Sequence, residues 1–361
     1  MSNKETKNIR KETSYFMKKT NLKWIIILLS AITVVSTMLV GCKNNIQNIE
    51  YVYDIYVAGY YGDKAVLWKN GTPIELTNGQ KDATALQVCG SDNDIYVVGY
   101  EVADGSKNKI AMLWKNGEPI KLSDGQKDAI AYSVYAVKEN IYMAGYKKNN
   151  KNKMVATLWN NQKQTALTNG TNNAIALSVY SDGIDTYAAG YEYIKGKTVA
   201  MLWKNGTSIK LSNGQKDAMA NSVFVKNGDV YVAGFEKNEK NKMVATLWKN
   251  QKPTALTDGT SSATALSVYL EGVNTYVAGY ESVNGKSVVI LWENGVPTKY
   301  NSDSKNAEAR SVYVIDNNVY MAGNEEDKAV LWKNGTPTIL DNNKKESIAY
   351  SVYIIKRESK K

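Results

Sequence analysis

Tryptophan recurs at nearly equal intervals along most of the chain, and this spacing restricts the possible folds more than any other feature. Seven tryptophans are separated by 46, 45, 44, 45, 44 and 40 residues. They are Trp68, Trp114, Trp159, Trp203, Trp248, Trp292 and Trp332. A period of this size corresponds to one supersecondary unit of a repeat protein. The spacing therefore predicts seven copies of a single unit.

The segments within each unit have the length and composition of β-strands. One unit contains Ala176–Tyr180, Thr186–Tyr191, Val199–Lys204 and Thr207–Leu211, which are rich in Tyr, Val and Ile and are separated by Gly and Asn. Paired helices would need longer segments, with apolar residues three and four positions apart. Four short strands per unit at this period predict an all-β fold, a seven-bladed β-propeller with four-stranded blades.

An Asn-Gly or Asn-Gln pair separates the third and fourth strands of every unit. Asn205-Gly206 is typical, because both central residues of a type I′ hairpin turn need positive φ. Gln fits this position less easily in Asn161-Gln162 and Asn250-Gln251. The five prolines all follow such a pair: Pro73, Pro119, Pro253, Pro297 and Pro337. Since proline cannot donate to a strand ladder, the fourth strand is predicted to be the outer edge.

Two small residues recur in every unit. An alanine in the first strand, such as Ala176, suits the crowding of strands that converge on an axis. A glycine in the second strand, such as Gly190, predicts a bulge or a close backbone approach, with a tryptophan lying over it. The chain begins its repeats close to a second strand and ends them at Ala349–Ile355, a first strand. The C-terminal strand should therefore complete the N-terminal blade and close the ring.

Residues 51–355 resemble bacterial extracellular propeller repeats of the Gly-Tyr…Ala-x-Leu-Trp-x-Asn-Gly type, including those called HAF repeats. The Trp-Asp pair of WD40 repeats and the Gly-Gly pair of kelch repeats do not occur in this sequence. The resemblance implies a propeller fold and export from the cytoplasm, and it implies no particular reaction.

The N-terminal segment has the features of a secretory signal. Trp24–Val40 is an apolar run preceded by Lys18, Lys19 and Lys23. Its end, Leu39-Val40-Gly41-Cys42, resembles the lipobox of bacterial lipoproteins. The resemblance implies cleavage before Cys42 and attachment of a diacylglycerol to the Cys42 thiol. Residues 1–41 would then be the signal peptide. The alternative is a transmembrane anchor, since about 17 apolar residues are near the lower limit for spanning.

The resemblance to a lipobox implies that the chain is anchored at the outer face of the bacterial cytoplasmic membrane, with an extracellular body. Residues 42–50 form a tether that reaches at most about 26 Å beyond Cys42. Met17 also resembles an ordinary signal start, so either Met1 or Met17 could be the true initiator. Residues 356–361 are predicted to be a disordered basic tail.

Charge and composition argue against several classes of function. The net charge is +10, but residues 1–41 contribute +5 of it, and the remaining excess is spread over the repeats. This distribution predicts no nucleic-acid partner. The chain has no histidine, which excludes Ser-His-Asp and Cys-His nucleophiles and histidine metal ligands. We expect no metal, no cofactor and a monomer. Cys89, which replaces an aromatic residue of the other units, is predicted to be a buried filler.

Function should lie where the units differ, because shared residues support the fold. The position after the recurrent alanine varies: Leu86, Tyr132, Leu177, Asn221, Leu266, Arg310 and Tyr350. These side chains are expected to face the axial channel or its mouth. Candidate ligand-binding residues are Tyr132, Asn221, Glu308, Arg310 and Tyr350, with Arg310 available for an anionic group and the tyrosines for stacking. The alternative is that the unit containing Arg310 has diverged in sequence without acquiring a function.

The connection between the second and third strands also differs among units. The recurrent Gly and Trp are 9 residues apart in the first and last units and 13 to 15 apart in the others. Closure makes the two short units neighbours, so we expect a low wall at the seam of the ring. The lysine-rich loop 147–153 could contact anionic polymers, although a solvated loop is the simpler interpretation.

Acidic side chains near the same connections could in principle serve a glycosidase or lyase. They are Glu101, Glu192, Glu236, Glu281 and Glu325, with Asp82, Asp128 and Asp217. Because they recur with the repeat, we favour a solvated rim. The tryptophans could likewise form a sugar-stacking ring, but packing between blades is favoured.

The sequence thus favours a membrane-anchored surface lipoprotein whose propeller is a non-catalytic binding module for a carbohydrate, peptide or protein ligand. The first alternative is a secreted carbohydrate-active hydrolase or lyase that uses carboxylates at the channel mouth. The second is a purely structural surface protein. No catalytic residue is predicted.

Overall fold

Twenty-eight β-strands and no helix make up the residues that the computed structural model describes, which are 50–300, 305–341 and 345–359. The strands form seven four-stranded sheets, each with its strands adjacent in sequence except one. The exception combines the last strand with the first three. The predicted all-β, seven-bladed propeller is therefore confirmed.

The blades are numbered from the N-terminus, and each sheet is given from the axis outward. Blade 1 consists of β28 (Ser347–Glu358), β1 (Tyr51–Tyr61), β2 (Lys64–Lys69) and β3 (Thr72–Glu75). Blade 2 consists of β4 (Ala83–Ser91), β5 (Asp94–Val102), β6 (Lys109–Lys115) and β7 (Glu118–Lys121). Blade 3 consists of β8 (Ala129–Val137), β9 (Asn140–Lys148), β10 (Met154–Asn160) and β11 (Lys163–Ala166). Blade 4 consists of β12 (Ala174–Ser181), β13 (Thr186–Ile194), β14 (Lys197–Lys204) and β15 (Thr207–Lys210).

The remaining blades follow the same pattern. Blade 5 consists of β16 (Ala218–Lys226), β17 (Asp229–Lys237), β18 (Met243–Lys249) and β19 (Lys252–Ala255). Blade 6 consists of β20 (Ala263–Glu271), β21 (Asn274–Val283), β22 (Lys286–Glu293) and β23 (Val296–Lys299). Blade 7 consists of β24 (Ala307–Ile315), β25 (Asn318–Glu325), β26 (Lys328–Lys333) and β27 (Thr336–Ile339).

Residues 52–357 form one compact unit, the propeller. Outside that range, the Ser359 N–H donates to the Glu50 carbonyl at 2.7 Å. The predicted signal peptide, Cys42 and most of the tether lie outside the described residues. Among the residues described, no helix has the length and apolarity needed to cross a membrane.

The asparagine of each Asn-Gly or Asn-Gln turn has a second role besides positive φ. The Asn205 Oδ1 accepts the Thr186 N–H at 2.9 Å, and its Nδ2 donates to Asp185 at 2.6 Å. The turn between the third and fourth strands is thereby tied to the start of the second. All seven turns place their asparagine Oδ1 on the second strand in this way. Gln162 and Gln251 adopt positive φ, 73° and 70°.

The seven tryptophans fill the spaces between blades, as predicted. Each is at most 1% exposed, and each lies in an apolar cluster drawn from two neighbouring blades. Their indole N–H groups have no hydrogen-bond partner among the described residues. Packing therefore accounts for the recurrence of tryptophan. The fourth strands are exposed edges, and the prolines lie on them.

The C-terminal strand β28 lies innermost in blade 1, beside β1, so the predicted closure is confirmed. The strand continues to Glu358, and the prediction of a disordered tail from residue 356 is wrong for residues 356–358. Lys356 pairs with Asp316 at 2.9 Å and Arg357 with Asp54 at 3.3 Å. These ion pairs help to hold the basic residues at the end of β28 in the sheet.

Two faces of the propeller are distinguished by their connections. The hairpin face carries the connections between second and third strands and those between blades. The turn face carries the turns between first and second strands and the Asn-Gly or Asn-Gln turns. First strands begin at the hairpin face, and β1 begins at the turn face.

Candidate ligand-binding site at the mouth of the axial channel

A β-bulge recurs in the first strand of the blades and determines which side chains reach the axis. In blade 4 the strand pairing shifts between Ala176, which pairs with Gly190, and Ser178, which pairs with Ala189, so Leu177 is the extra residue. The same shift is found in blades 2, 3, 5, 6 and 7. A bulge re-aims a side chain. The variable position found in the sequence is thus the bulged residue.

The variable residues of all seven blades line one cavity of about 240 Å³ on the hairpin-face side of the channel. They are Leu86, Tyr132, Leu177, Asn221, Leu266, Arg310 and Tyr350. Four of the five candidate residues are therefore brought together here. The fifth, Glu308, contacts the cavity through Arg310, whose Nη2 lies 2.6 Å from the Glu308 Oε2.

Three polar residues distinguish blade 7 from the others at this mouth, and we call Glu308, Arg310 and Asn324 the polar trio. Glu308 and Asn324 pair across β24 and β25. The Arg310 Nε donates to the Asn324 Oδ1 at 3.3 Å. The corresponding positions are Thr84, Leu86 and Tyr100 in blade 2, and Thr264, Leu266 and Tyr280 in blade 6. The expectation that Arg310 is available for an anion is not supported, because Glu308 already compensates its charge.

Aromatic side chains surround the polar trio on the blade 1 side. The Arg310 guanidinium lies 5.2 Å from the centre of the Tyr350 ring, a cation–π distance. Tyr350 is 6.2 Å from Tyr60, whose hydroxyl donates to Glu346 at 2.7 Å. Burial raises the pKa of Tyr350, with Arg310 opposing the rise. The tyrosine therefore stays neutral, and Arg310 is held against its face.

Across the channel the mouth is apolar. Tyr132 packs 6.3 Å from Tyr146, and both belong to a cluster that includes Ile130 and Ile175. Burial, followed by neighbouring tyrosines, raises the pKa of Tyr132. Asn221 also lines the cavity; its Nδ2 donates to the Ala265 carbonyl at 2.8 Å, and its Oδ1 is available as an acceptor. The mouth thus has one polar side and one apolar side.

A belt of hydrogen bonds below the mouth was not predicted. The Ser178 Oγ in blade 4 accepts the N–H of Val223 in blade 5 at 3.0 Å. Each blade makes the same bond to the next, with Gln87 in place of serine in blade 2. The seven bonds close a circle around the channel. The signal in the sequence was the recurrent Ser-Val or Gln-Val pair that follows the variable residue.

The channel widens again toward the turn face, into a cavity of about 350 Å³. Six aromatic rings there contact one another in sequence with centroids 4.4 to 5.3 Å apart, from Tyr135 to Tyr353. Cys89 occupies the seventh position and is buried, as predicted. Burial raises the pKa of its thiol to about 12. The Tyr353 hydroxyl donates to the Gly90 carbonyl at 3.1 Å, so this ring leans into the space left by the missing aromatic.

The hairpin face is lowest beside the polar trio. Only two residues connect the second and third strands in blades 1 and 7, Gly62-Asp63 and Glu326-Asp327, and those strands end early. Blades 4 and 6 also have two-residue connections, but their second strands extend two residues further past the recurrent glycine. Blades 3 and 5 have five-residue connections, and blade 2 has six. Blades 7 and 1 are neighbours, since the Val352 N–H donates to the Ser311 Oγ. Among the described residues, the rim of the mouth is therefore lowest at the seam, where Arg310 and Tyr350 lie.

The acidic residues of the hairpin face mostly serve connections between blades. The Asp217 Oδ1 accepts the Thr198 N–H at 3.0 Å, and Asp128 accepts the Lys109 N–H at 2.8 Å. Glu101, Glu281 and Glu325 are each within ion-pair distance of a lysine. Glu192 accepts from Asn172, and burial raises the pKa of Glu236. None of these carboxylates lines the cavity.

Metal binding receives no support from the described part of the chain, which holds no group of three or more Cys, Asp or Glu side chains placed to bind an ion. The lysine-rich loop 147–153 borders a separate depression with Asn169, Gly170 and Thr171. The Asn149 side chain organises this loop by accepting the Lys151 and Lys153 N–H groups.

Comparison with known proteins identifies the fold and no more. No protein-family model and no curated protein sequence matches the chain. A puromycin-hydrolysing peptidase of Mycobacterium tuberculosis is similar with a TM-score of 0.53 and 10% identity, over 79% of this chain and 53% of that chain. The β-propeller domain of the trilobed protease of Pyrococcus furiosus has a TM-score of 0.49 and 11% identity, over 81% of this chain and 95% of that domain. TolB from Acinetobacter baumannii has a TM-score of 0.46 and 10% identity, over 68% of this chain and 64% of TolB.

These similarities leave the activity of the chain open. The chain spans about half the length of the peptidase, 53% of it. At such low identity the likeness concerns the propeller alone. Function has to be argued from the mouth of the channel.

Proposed function

We propose that the chain is a lipid-anchored surface protein whose propeller binds a ligand at the hairpin-face mouth of the axial channel. The observation that carries this proposal is the convergence of the seven side chains of the variable position on one cavity. Residues that a repeat protein varies, placed together beside the lowest wall, are the expected composition of a recognition site. The residues shared by all blades, by contrast, serve packing between blades, the turns and the hydrogen-bond belt.

Binding is favoured over hydrolysis because of the carboxylates. A glycosidase of the usual kind needs two carboxyl groups on either side of the scissile bond. The described lining of the cavity contains none, and the adjacent Glu308 is held by Arg310 at 2.6 Å. A purely structural role would not explain why blade 7 alone places an ion pair, Arg310 with Glu308, at the mouth of the channel.

The binding proposal is tested with the full chain in lipid nanodiscs, screened against glycans, wall polymers and peptides. Any ligand found should bind at least tenfold more weakly to Arg310→Ala, because Arg310 lies at the accessible side of the mouth. Val296→Thr provides the control, since Val296 is on the outer edge of blade 6 and other blades have Thr there. Binding unchanged by Arg310→Ala would reject this site.

Attachment to the membrane is the second part of the proposal. The basic residues, apolar run and Leu-x-Gly-Cys sequence before residue 43 support lipid modification of Cys42. Strand β1 begins at the turn face, and the hairpin-face mouth is at the opposite end of the channel.

Lipid attachment is tested by growing cells with a clickable fatty acid. The protein should carry the label and sediment with membranes, whereas Cys42→Ser should carry no label and lose the cleavage step. A Cys42→Ser protein that is cleaved and labelled like the parent would contradict the lipoprotein proposal. Membrane retention of an unlabelled parent protein would instead favour the transmembrane anchor.

A further inference from the structure

We propose that the hairpin-face mouth binds one neutral saccharide unit at the end of a longer glycan, held between the polar trio of blade 7 and the leucine and tyrosine side chains of the other blades. This inference rests on the proposed binding function and names its ligand class. Four observations carry it: charge, hydrogen-bonding capacity, apolar surface and the shape of the opening.

The charge of the site favours a neutral ligand. Arg310 is paired with Glu308 at 2.6 Å, and no other described residue that lines the cavity is charged. An anion that displaced Glu308 from Arg310 would leave a partly buried carboxylate without its partner, which is costly. An anion that did not displace it would meet the Glu308 charge beside its own. A neutral ligand incurs neither cost.

The hydrogen-bonding groups at the mouth suit neighbouring hydroxyls, each of which donates and accepts. Arg310 offers donors and Asn221 offers its Oδ1, and the Glu308 carboxylate lies beside the cavity, 2.6 Å from Arg310. Arg310 is fixed from three sides, by Glu308, by Asn324 at 3.3 Å and by the Tyr350 ring at 5.2 Å. Fixed groups lose little entropy when a ligand binds, which favours affinity.

The mouth offers apolar groups as well as polar ones. In ring order the lining runs Arg310, Tyr350, Leu86, Tyr132, Leu177, Asn221 and Leu266. A sugar ring has hydroxyls at its rim and C–H groups on its faces, so it can use both kinds of side chain at once. A single amino-acid side chain of a peptide would match only one kind.

The size of the cavity and the height of its wall restrict the ligand further. A volume of about 240 Å³ is below the range of about 300–1,000 Å³ that is usual for ligand pockets. One ring-sized unit therefore fits better than several. Among the described residues, the short hairpins of blades 1 and 7 are the lowest part of the rim, and they lie beside Arg310 and Tyr350. The site is consistent with a terminal unit whose continuation crosses the seam.

The test uses the full chain in lipid nanodiscs, with empty nanodiscs as the blank. The probes are neutral hexose and N-acetylhexosamine oligosaccharides, the same backbones carrying uronic acid or sulfate, and a library of uncharged peptides. Hits are measured by isothermal titration calorimetry. We expect neutral oligosaccharides to bind, and their anionic forms to bind at least tenfold more weakly.

A repeat-restoring variant tests the location. Glu308→Thr, Arg310→Leu and Asn324→Tyr together give blade 7 the residues of blades 2 and 6, so the variant is compatible with the fold. Saccharide affinity should fall at least tenfold, with no loss in the Val296→Thr control. If the triple variant melts early, Glu308→Gln alone, which keeps the side-chain shape, should weaken neutral binding and improve binding of the anionic probes.

The outcomes separate this inference from the general binding function. Binding of peptides without saccharides would overturn the saccharide assignment and leave the proposed binding function intact. Tighter binding of anionic than neutral sugars would also overturn it. Saccharide binding unaffected by the triple variant would reject the location, and binding of no probe would count against both proposals.

Discussion

The second-strand glycine shows how one missing side chain determines the shape of a blade. A Cβ added to Gly190 would lie 1.9 Å from the Ile175 carbonyl oxygen, and the corresponding distance is 1.8 to 2.0 Å in all seven blades. The carbonyl belongs to the first strand, just before the bulge. Glycine therefore permits the close approach that allows the bulged residue to point into the channel.

Gly190→Ala should be strongly destabilising because its contact is with backbone, which cannot rotate away. We expect a loss of about 3 kcal/mol or more in the free energy of unfolding. Gly206→Ala is the matched control. Gly206 has φ of 81° and open space around its Cβ position, so only backbone strain of about 1 kcal/mol is expected. Urea unfolding measures both, and equal losses would contradict the close-approach explanation.

Asp217 illustrates a residue whose charge supports a connection between blades. Its pKa is lowered, first by the Thr198 N–H and further by Lys237, against burial, which raises it. A carboxyl with a lowered pKa in the folded state stabilises the protein above its unfolded pKa of about 3.9, and this contribution disappears as the pH falls through the folded value.

Asp217→Asn keeps an acceptor for the Thr198 N–H and removes the charge. Blade 4 already uses Asn173 at the equivalent position, where its Oδ1 accepts the Met154 N–H at 2.9 Å. The variant should therefore fold, with lower stability than the parent between pH 5 and 7. The difference should shrink as the pH falls below about 4. Urea unfolding of both proteins across this pH range tests the prediction. A stability difference that does not change with pH would show that the Asp217 charge is not responsible.

Strands cooperate across blades through the belt of side-chain to backbone bonds. Ser178→Ala would leave the Val223 N–H buried without its acceptor, at a cost of about 1–3 kcal/mol. Ser208→Ala on the exposed outer strand should change stability by less than about 0.5 kcal/mol. Amide exchange of Val223 should accelerate in the first variant alone. Unchanged exchange would mean that the belt does not protect this amide.

The sequence determines the elements of this fold more clearly than the relations between them. The Trp period, the Asn-Gly turns and the edge prolines each express a requirement local to one blade, so strands, turns and edges were predictable. The belt was not, because a serine in a strand carries no signal of which neighbouring blade supplies its partner. The variable position could be found because it is a difference between aligned units. The pairing of Arg310 with Glu308, which determines the charge of the site, required coordinates.

The ring as a whole depends on a strand that is far from its neighbours in sequence. Strand β28 provides two of the seven belt bonds, Val88 to Ser351 and Val352 to Ser311. It also supplies Ala349, Val352 and Ile354 to the apolar cluster around Trp68. An open repeat array can lose a terminal unit with local effects. A closed ring loses contacts on both sides of the seam at once.

Removal of β28 should therefore affect the entire propeller. In a chain that stops after Glu346, the loss of buried Val352 and Ile354 alone removes about 3–6 kcal/mol, at about 1.5–3 kcal/mol for each side chain. We expect a lower and broader thermal transition, with red-shifted tryptophan emission as Trp68 becomes hydrated.

A chain that stops after Ile355 is the control for this truncation, because it keeps the belt and the cluster. It loses only residues 356–361, including the surface pairs of Lys356 and Arg357, which contribute little when solvent-exposed. Its melting temperature should remain close to that of the full chain. If instead both truncations melt alike, the stability of the ring does not come from the inner strand, and closure by β28 would be a feature of topology without an energetic role.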